Sequence, residues 1–191
     1  MGDLAFYLKE GWLHIISLNA LDHQLFIVAL TALYVLKDWQ KVLVLVTAFT
    51  IGHSITLALS VYNVVSINGK WVEFLIACTI LITALFNMLT KRVAEKKLML
   101  NYFIALLFGL IHGLGFANTI RFMLSKDQAI AQPLLGFNIG LELGQILLVS
   151  CILILSYLVI NKARLKRRYW VNILSSISLI LALKFAIERI P

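Results

Sequence analysis

The chain has 191 residues, of which 61% are hydrophobic and only 14% are charged, and its mean hydropathy is +0.94. A soluble domain with so little surface charge would precipitate, so the composition excludes a soluble globular protein and predicts an all-α polytopic membrane protein. The net charge of +8 does not indicate a nucleic-acid partner, because the basic residues fall in loops between apolar runs. Since each crossing needs about 20 residues, we expect residues 1–191 to form one transmembrane domain with about six helices.

The first element is predicted to be a short helix at the membrane interface. Residues 3–17 mix aromatic side chains with Lys9, Glu10 and His14, a composition that is too polar to cross a bilayer and is typical of an interfacial helix. Six apolar runs follow, each about long enough to cross a membrane at about 1.5 Å per residue. They are residues 19–36, 42–65, 71–90, 98–124, 133–160 and 169–190.

The lysines and arginines predict how these helices are oriented. Eleven of the 17 fall in the loops on one side of the runs, and by the positive-inside rule that side is cytoplasmic. Both termini are therefore expected outside. The eleven residues are Lys37, Lys41, Lys91, Arg92, Lys96, Lys97, Lys162, Arg164, Lys166, Arg167 and Arg168.

Histidines and carboxylates lie inside four of the six runs. The first run carries Asp22 and His23, the second carries His53, the fourth carries His112 and the fifth carries Glu142. Ionisable side chains inside a membrane are costly and indicate a functional site by default. With the predicted orientation, all of them fall in the outer half of the bilayer or near its midplane, within reach of the interfacial histidine.

The two intramembrane carboxylates, Asp22 and Glu142, have almost no basic partner in the interiors of the predicted helices. They can be protonated, can face water, or can share a cation with the histidines, and the third option uses every polar group at this depth. Imidazole and carboxylate ligands without thiolate or thioether suit nickel, cobalt, zinc or iron better than copper(I) or calcium. The predicted ligands of a divalent metal ion are His14, Asp22, His23, His53, His112 and Glu142, and the groups predicted to orient them are Thr50, Ser54, Asn138 and Gln145.

Small and polar residues recur at helical spacing in three runs. Gly109 and Gly113 form a GxxxG pair, a spacing that lets another helix approach closely. We interpret this pair and two further stripes as helix-packing surfaces. These stripes are the glycine ridge Gly136, Gly140 and Gly144, and the polar stripe Thr79, Thr83 and Asn87.

Four ordered motifs give the chain a resemblance to a known family. They are His14 followed by Asp22-His23, FTIGHSITL at 49–57, GLIHGLGFA at 109–117 and FNIGLELGQ at 137–145. Through them nearly the whole chain resembles the HupE/UreJ family of small bacterial membrane proteins. The resemblance implies a nickel or cobalt permease of the bacterial inner membrane. Nickel permeases typically have four residues between a histidine and an Asp-His pair on one helix, whereas seven residues separate His14 from Asp22 here, so we expect His14 on a different element from Asp22.

Three functions stay open on the sequence. A metal permease requires an exchangeable ion and a path across the membrane. A membrane-embedded zinc-dependent hydrolase requires three protein ligands, an open position for water, and Asp22 or Glu142 as a base. A structural or sensory metal protein requires a closed shell of four ligands. The expected partners are the metal ion and the lipid bilayer, and further candidates are a second copy of the chain or a metalloenzyme maturation protein.

Overall fold

A computed structural model describes residues 3–90, 98–123 and 130–191, and these residues form seven α-helices. The basic loop 91–97 and residues 124–129 of the connection after the fourth run lie outside the described residues. Three short turns of other helix types, Leu18–Ala20, Leu36–Asp38 and Leu158–Lys162, join or extend the α-helices. The seven helices are α1 Asp3–Ile16, α2 Leu21–Thr31, α3 Trp39–Val61, α4 Gly69–Leu89, α5 Leu98–Met123, α6 Ala131–Tyr157 and α7 Arg167–Glu188.

Helices α3 to α7 are each long and apolar enough to cross a membrane, and this confirms the prediction of an all-α polytopic protein. The first crossing differs from the prediction. Helix α2 has only 11 residues, so a sixth crossing exists only when α1 and α2 are taken together through a bend of 58°. The side-chain amide of Gln24 holds this bend, because it donates hydrogen bonds to the carbonyl oxygens of Ile15 and Ser17.

Helix α1 packs along the whole glycine ridge of α6 and is not a separate helix on the surface. A Cβ atom added at Gly140 would collide with the backbone of Leu8, and one added at Gly11 would collide with the backbone of Phe137. The two backbones therefore touch, which confirms that the ridge is a packing surface. This contact draws the polar N-terminal segment into the bundle and carries His14 with it.

Helices α3 and α5 form a second pair packed through glycines. A Cβ atom at Gly109 would collide with the backbone of Phe49, and one at Gly113 would collide with the backbone of His53. The GxxxG pair therefore acts as predicted. Because His53 and His112 lie at this contact, the close approach of α3 and α5 fixes the spacing between their side chains.

Contacts at the helix ends define two faces of the bundle. At one end, Arg189 after α7 meets Asp22 at the beginning of α2; we call this end the outer face, following the predicted orientation. At the opposite end, Arg167 donates to the carbonyl oxygen of Leu33 and Arg168 donates to that of Thr90. We call this end the inner face.

Candidate metal centre

The chain has four histidines, and all four meet at one place although they come from α1, α2, α3 and α5. One nitrogen each from His14, His23 and His53 forms a group whose members all lie within 4.8 Å of one another. The fourth, His112, has its ring centroid 4.8 Å from that of His23. We call these four residues the histidine cluster. His14 lies on α1 and Asp22 on α2, as the seven-residue spacing predicts.

Asp22 fixes the orientation of His23. Its Oδ1 atom lies 3.0 Å from His23 Nδ1 and also accepts the backbone N–H of His23 at 2.8 Å. A carboxylate only accepts hydrogen bonds, so Nδ1 carries the hydrogen and Nε2 of the neutral ring keeps its lone pair. This Nε2 atom is buried and has no hydrogen-bond partner among the described residues, so its lone pair is available.

Thr79 fixes the orientation of the His112 ring, as Asp22 does for His23. The Thr79 hydroxyl donates its only hydrogen to the carbonyl oxygen of Ile76 at 2.7 Å. It can therefore only accept from His112 Nε2, which lies 3.2 Å away. The hydrogen of the neutral imidazole is then on Nε2, and Nδ1 is left with a bare lone pair that is buried and without a partner. The interpretation of the Thr79 stripe as packing alone misses this bond.

The other two histidines are held by packing. His53 is fully buried, and among the described residues Asn138 lies beside it but no side chain or backbone group forms a hydrogen bond of normal geometry with either ring nitrogen. His14 has a buried Nε2 without a partner, and its ring lies against Phe116 with centroids 4.1 Å apart. Buried polar atoms are nearly always hydrogen-bonded, so this many bare nitrogens in one place needs an explanation.

Aromatic rings enclose the cluster. Phe49 and Phe26 lie beside His112, with centroid distances of 5.1 and 5.0 Å, and Phe137 stacks on His53 at 6.1 Å. These aromatic rings leave the bare nitrogens few polar protein atoms with which to form hydrogen bonds. A divalent cation satisfies the lone pairs without adding like charge to each ring.

A cavity of about 450 Å³ connects the cluster to the outer face. Its inner part is formed by His14, His23 and His112, and its outer part by Glu10, Glu73 and Arg189. Glu73 belongs to the first turns of α4, and Arg189 follows the end of α7, so the cavity extends to the ends of these helices. Glu10, His14 and Ser17 of the N-terminal segment line this cavity.

The prediction that Asp22 lacks a basic partner is wrong. Arg189, 167 residues away in the chain, places a guanidinium nitrogen 3.3 Å from Asp22 Oδ2, while Asp22 Oδ1 is occupied by His23. A second guanidinium nitrogen lies 3.9 Å from Glu73. The sequence gives no signal for this ion pair, because Arg189 is the last but one residue of the predicted run 169–190, at a helix end where a basic residue is unremarkable.

The structure does not bring Glu142 into the histidine cluster. Its Oε1 atom accepts a hydrogen bond from the Thr47 hydroxyl at 2.6 Å, and beside it the Thr50 hydroxyl donates to Gln145 Oε1 at 3.0 Å. Asn138 Nδ2 donates to the carbonyl oxygen of Leu134. We call Thr47, Thr50, Asn138, Glu142 and Gln145, between α3 and α6, the Glu142 region.

Of the four residues predicted to orient the ligands, Asn138 alone lies beside a histidine. Its side chain neighbours His53, and its buried Oδ1 atom has no hydrogen-bond partner. Thr50 and Gln145 bond to each other, and Ser54 donates to the carbonyl oxygen of Thr50 within its own helix. The groups that do orient ligands through hydrogen bonds are Asp22 and Thr79.

The cluster has the donor set for a first-row divalent metal. Such an ion binds imidazole nitrogens at about 2.1 Å, and in a tetrahedral site its ligands are about 3.4 Å apart. The three nitrogens lie within 4.8 Å of one another, so their separations would have to shorten by about 1.4 Å at most to bind one ion. The two cysteines are not involved, because Cys78 and Cys151 are free and are absent from this group.

A comparison with family models gives one match. The model described as HupE / UreJ protein matches residues 1–189. No significant match was found among curated proteins or among solved structures. The matched region contains the four motifs noted in the sequence and all four histidines of the cluster. The chain therefore belongs to the HupE / UreJ family.

Proposed function

We propose that this protein is a permease for a divalent transition metal, with nickel or cobalt as its substrate. One observation carries the proposal. All four histidines of the chain meet in the bundle with bare nitrogens, at the inner end of a cavity that extends to the outer face. Membership of the HupE / UreJ family agrees with a role in metal transport.

The donor set supports the choice of metal. Imidazole ligands suit nickel, cobalt, zinc and copper(II), whereas calcium and magnesium prefer oxygen. The residues of the cluster supply neutral nitrogen ligands, and the nearest carboxylate, Asp22, is engaged by His23 and Arg189. A cation in the cluster is therefore held by coordination more than by charge, which favours metals with strong affinity for nitrogen.

The positions of the carboxylates favour transport over hydrolysis. A zinc hydrolase needs a free base beside metal-bound water. Asp22 uses one oxygen for His23 and the other for Arg189, and Glu142 is bonded to Thr47 in a separate region. Neither of the bases considered for a hydrolase therefore has a free oxygen aimed at the cluster.

The cavity favours an exchangeable ion over a structural one. A structural metal site has a closed shell of protein ligands and is shielded from solvent. Here three of the four histidines line a cavity of about 450 Å³, so an ion can enter and leave without unfolding the bundle. Acidic residues Glu10 and Glu73 at the outer part of the cavity attract cations.

Uptake by reconstituted vesicles tests this function. Purified protein in sealed liposomes should transport nickel or cobalt into the lumen, and His53→Ala should abolish uptake while Ser150→Ala retains it. Ser150 is a suitable control, because it is exposed on α6 and its hydroxyl bonds only to Ile146 of its own helix. Equal uptake by wild type and His53→Ala would refute the proposal, as would a stably bound metal that does not exchange.

A further inference from the structure

A second cavity, of about 270 Å³, lies between the histidine cluster and the inner face. Its lining includes Tyr34, Asn87 and Asn101. Asn87 is two residues from the end of α4, and Asn101 is three residues from the beginning of α5. At about 1.5 Å per residue, this cavity therefore approaches to within roughly 5 Å of the inner helix ends.

The two cavities lie one behind the other along the same three helices. On α4, Ile76 lines the outer cavity and Thr83 lines the inner cavity. On α5, the corresponding residues are His112 and Phe108, which are one helical turn apart. Helix α2 repeats the order, with His23 at the outer cavity and Leu30 at the inner one. All three helices thus place the histidine cluster between two spaces.

Aromatic side chains separate the two spaces. Phe26 is fully buried and lies on α2 between the residues that line the two cavities. Its ring contacts His112 with centroids 5.0 Å apart, Phe49 at 5.0 Å and Phe108 at 5.8 Å. Phe26 and Phe108 therefore close the space directly inward of the histidines.

Polar groups continue past this closure. The Thr79 hydroxyl that contacts His112 is followed by Thr83, whose hydroxyl bonds to the Thr79 carbonyl oxygen at 2.7 Å, and then by Asn87. Across the cavity, Asn101 Nδ2 donates to the Tyr34 hydroxyl at 3.2 Å. Most of the lining is apolar, and the Asn87 amide nitrogen donates to the carbonyl oxygen of Ala29. The hydroxyl and amide oxygens of Tyr34, Thr83, Asn87 and Asn101 are therefore the groups that can replace part of the hydration shell of an ion that leaves the histidines.

We propose that the inner cavity is the exit half of the metal path, and that Phe26 and Phe108 form its gate. This inference rests on the proposed permease function. The metal leaves the cluster when the two rings separate, passes Thr83 and Asn87, and reaches the inner face between α2, α4 and α5. The state described here has the gate closed and the outer cavity connected to the cluster.

Cysteine accessibility tests the path. In a background with Cys78→Ala and Cys151→Ala, Thr83→Cys should react with a charged, membrane-impermeant methanethiosulfonate from the inner face only. Leu85→Cys is the matched control, because Leu85 is on the same helix, is exposed on its outside and does not line either cavity; it should not react from either face. Sealed vesicles of both orientations provide access to each face separately.

Gate variants provide the second measurement. Phe26→Ala should make Thr83→Cys reactive from the outer face as well and should raise the passive leak of nickel several-fold, whereas Phe26→Leu should restore the closed behaviour. Phe108→Ala is expected to have the same effect as Phe26→Ala, which keeps the test valid if one variant does not fold. A Thr83→Cys that is as unreactive as Leu85→Cys from both faces, or no leak in either alanine variant, would overturn the exit path.

Nickel binding by the same cysteine-free protein separates the two proposals. Calorimetry should give one saturable site per chain. If no nickel or cobalt binds, the permease function itself fails and the metal path fails with it. If vesicles with the wild type take up nickel in a way that depends on His53 and Thr83→Cys is inaccessible from both faces, the permease function stands and the exit path is wrong.

Discussion

The histidine cluster and the Glu142 region both hold polar side chains on helices of the same bundle, but they differ in how many of those side chains have partners. In the Glu142 region the carboxylate accepts from Thr47 and Thr50 donates to Gln145, and of the described atoms there only the buried Oδ1 of Asn138 lacks a partner. In the cluster, a nitrogen of every histidine is buried without a hydrogen-bond partner among the described residues. The contrast teaches that a candidate ligand site is better chosen by unmet bonding capacity than by the type of residue alone.

Removing a histidine of the cluster should have the largest effect on nickel binding. His23→Ala deletes the ring that neighbours all three other histidines, so nickel binding should become undetectable at concentrations that saturate the wild type. Calorimetry with purified protein measures this directly. Circular dichroism and thermal unfolding provide the control for correct folding. Wild-type affinity in a folded His23→Ala protein would remove the cluster from consideration as the binding site.

Asp22→Asn should have the next largest effect. The change removes the carboxylate that holds the Nδ1 hydrogen of His23, and loss of such a partner typically weakens metal affinity by about 10- to 100-fold. Arg189→Gln is the matched control, because it removes the ion pair with Asp22 and leaves the bond to His23. If both variants weaken binding equally, the ion pair matters and the orientation of His23 does not.

Five of the six transmembrane runs could be predicted because each is a continuous apolar stretch, and α3 to α7 fall within them or overlap them closely. The first crossing could not be predicted in the same way. Its outer half contains Glu10 and His14, which make it too polar by composition, but these side chains face a cavity inside the bundle. The composition of a segment does not show whether its polar residues will be buried when it packs against the glycine ridge of another helix.

The candidate site could be predicted in part. The histidines and Asp22 were identifiable, because ionisable groups inside apolar runs are rare. The separation of Glu142 from the histidines could not be predicted. Helical periodicity shows on which face of its own helix a residue lies, but it does not show which neighbouring helix that face contacts. Thr79 lies 33 residues from His112 and Arg189 lies 167 residues from Asp22, and no local pattern joins such pairs.

Thr79→Val should have a smaller effect than Asp22→Asn. Valine keeps the shape but removes the acceptor for His112 Nε2, and the loss of one neutral hydrogen bond should weaken nickel binding by about two- to tenfold. Thr31→Val is the control, because Thr31 is equally buried and bonds only to carbonyl oxygens of its own helix. An unchanged affinity for Thr79→Val would show that His112 is not oriented through Thr79, or is not a ligand.

Glu142→Gln should have the smallest effect on nickel binding. It tests the Glu142 region, the second of the two regions compared. Glutamine keeps an oxygen that accepts from Thr47 and removes only the negative charge, so nickel affinity should stay within about twofold of wild type. Thr47→Val removes the same hydrogen bond from the opposite partner and should also leave affinity unchanged.

A large loss of nickel affinity in Glu142→Gln would contradict the separation of the Glu142 region from metal binding. It would mean that Glu142 leaves Thr47 and joins the histidines when metal binds, as the sequence predicts. X-ray absorption at the nickel edge distinguishes the two outcomes, because a bound carboxylate adds an oxygen ligand that disappears in Glu142→Gln. We expect the wild type and this variant to give the same nitrogen-rich ligand shell, since the Glu142 carboxylate is bonded to Thr47 and is not part of the histidine cluster.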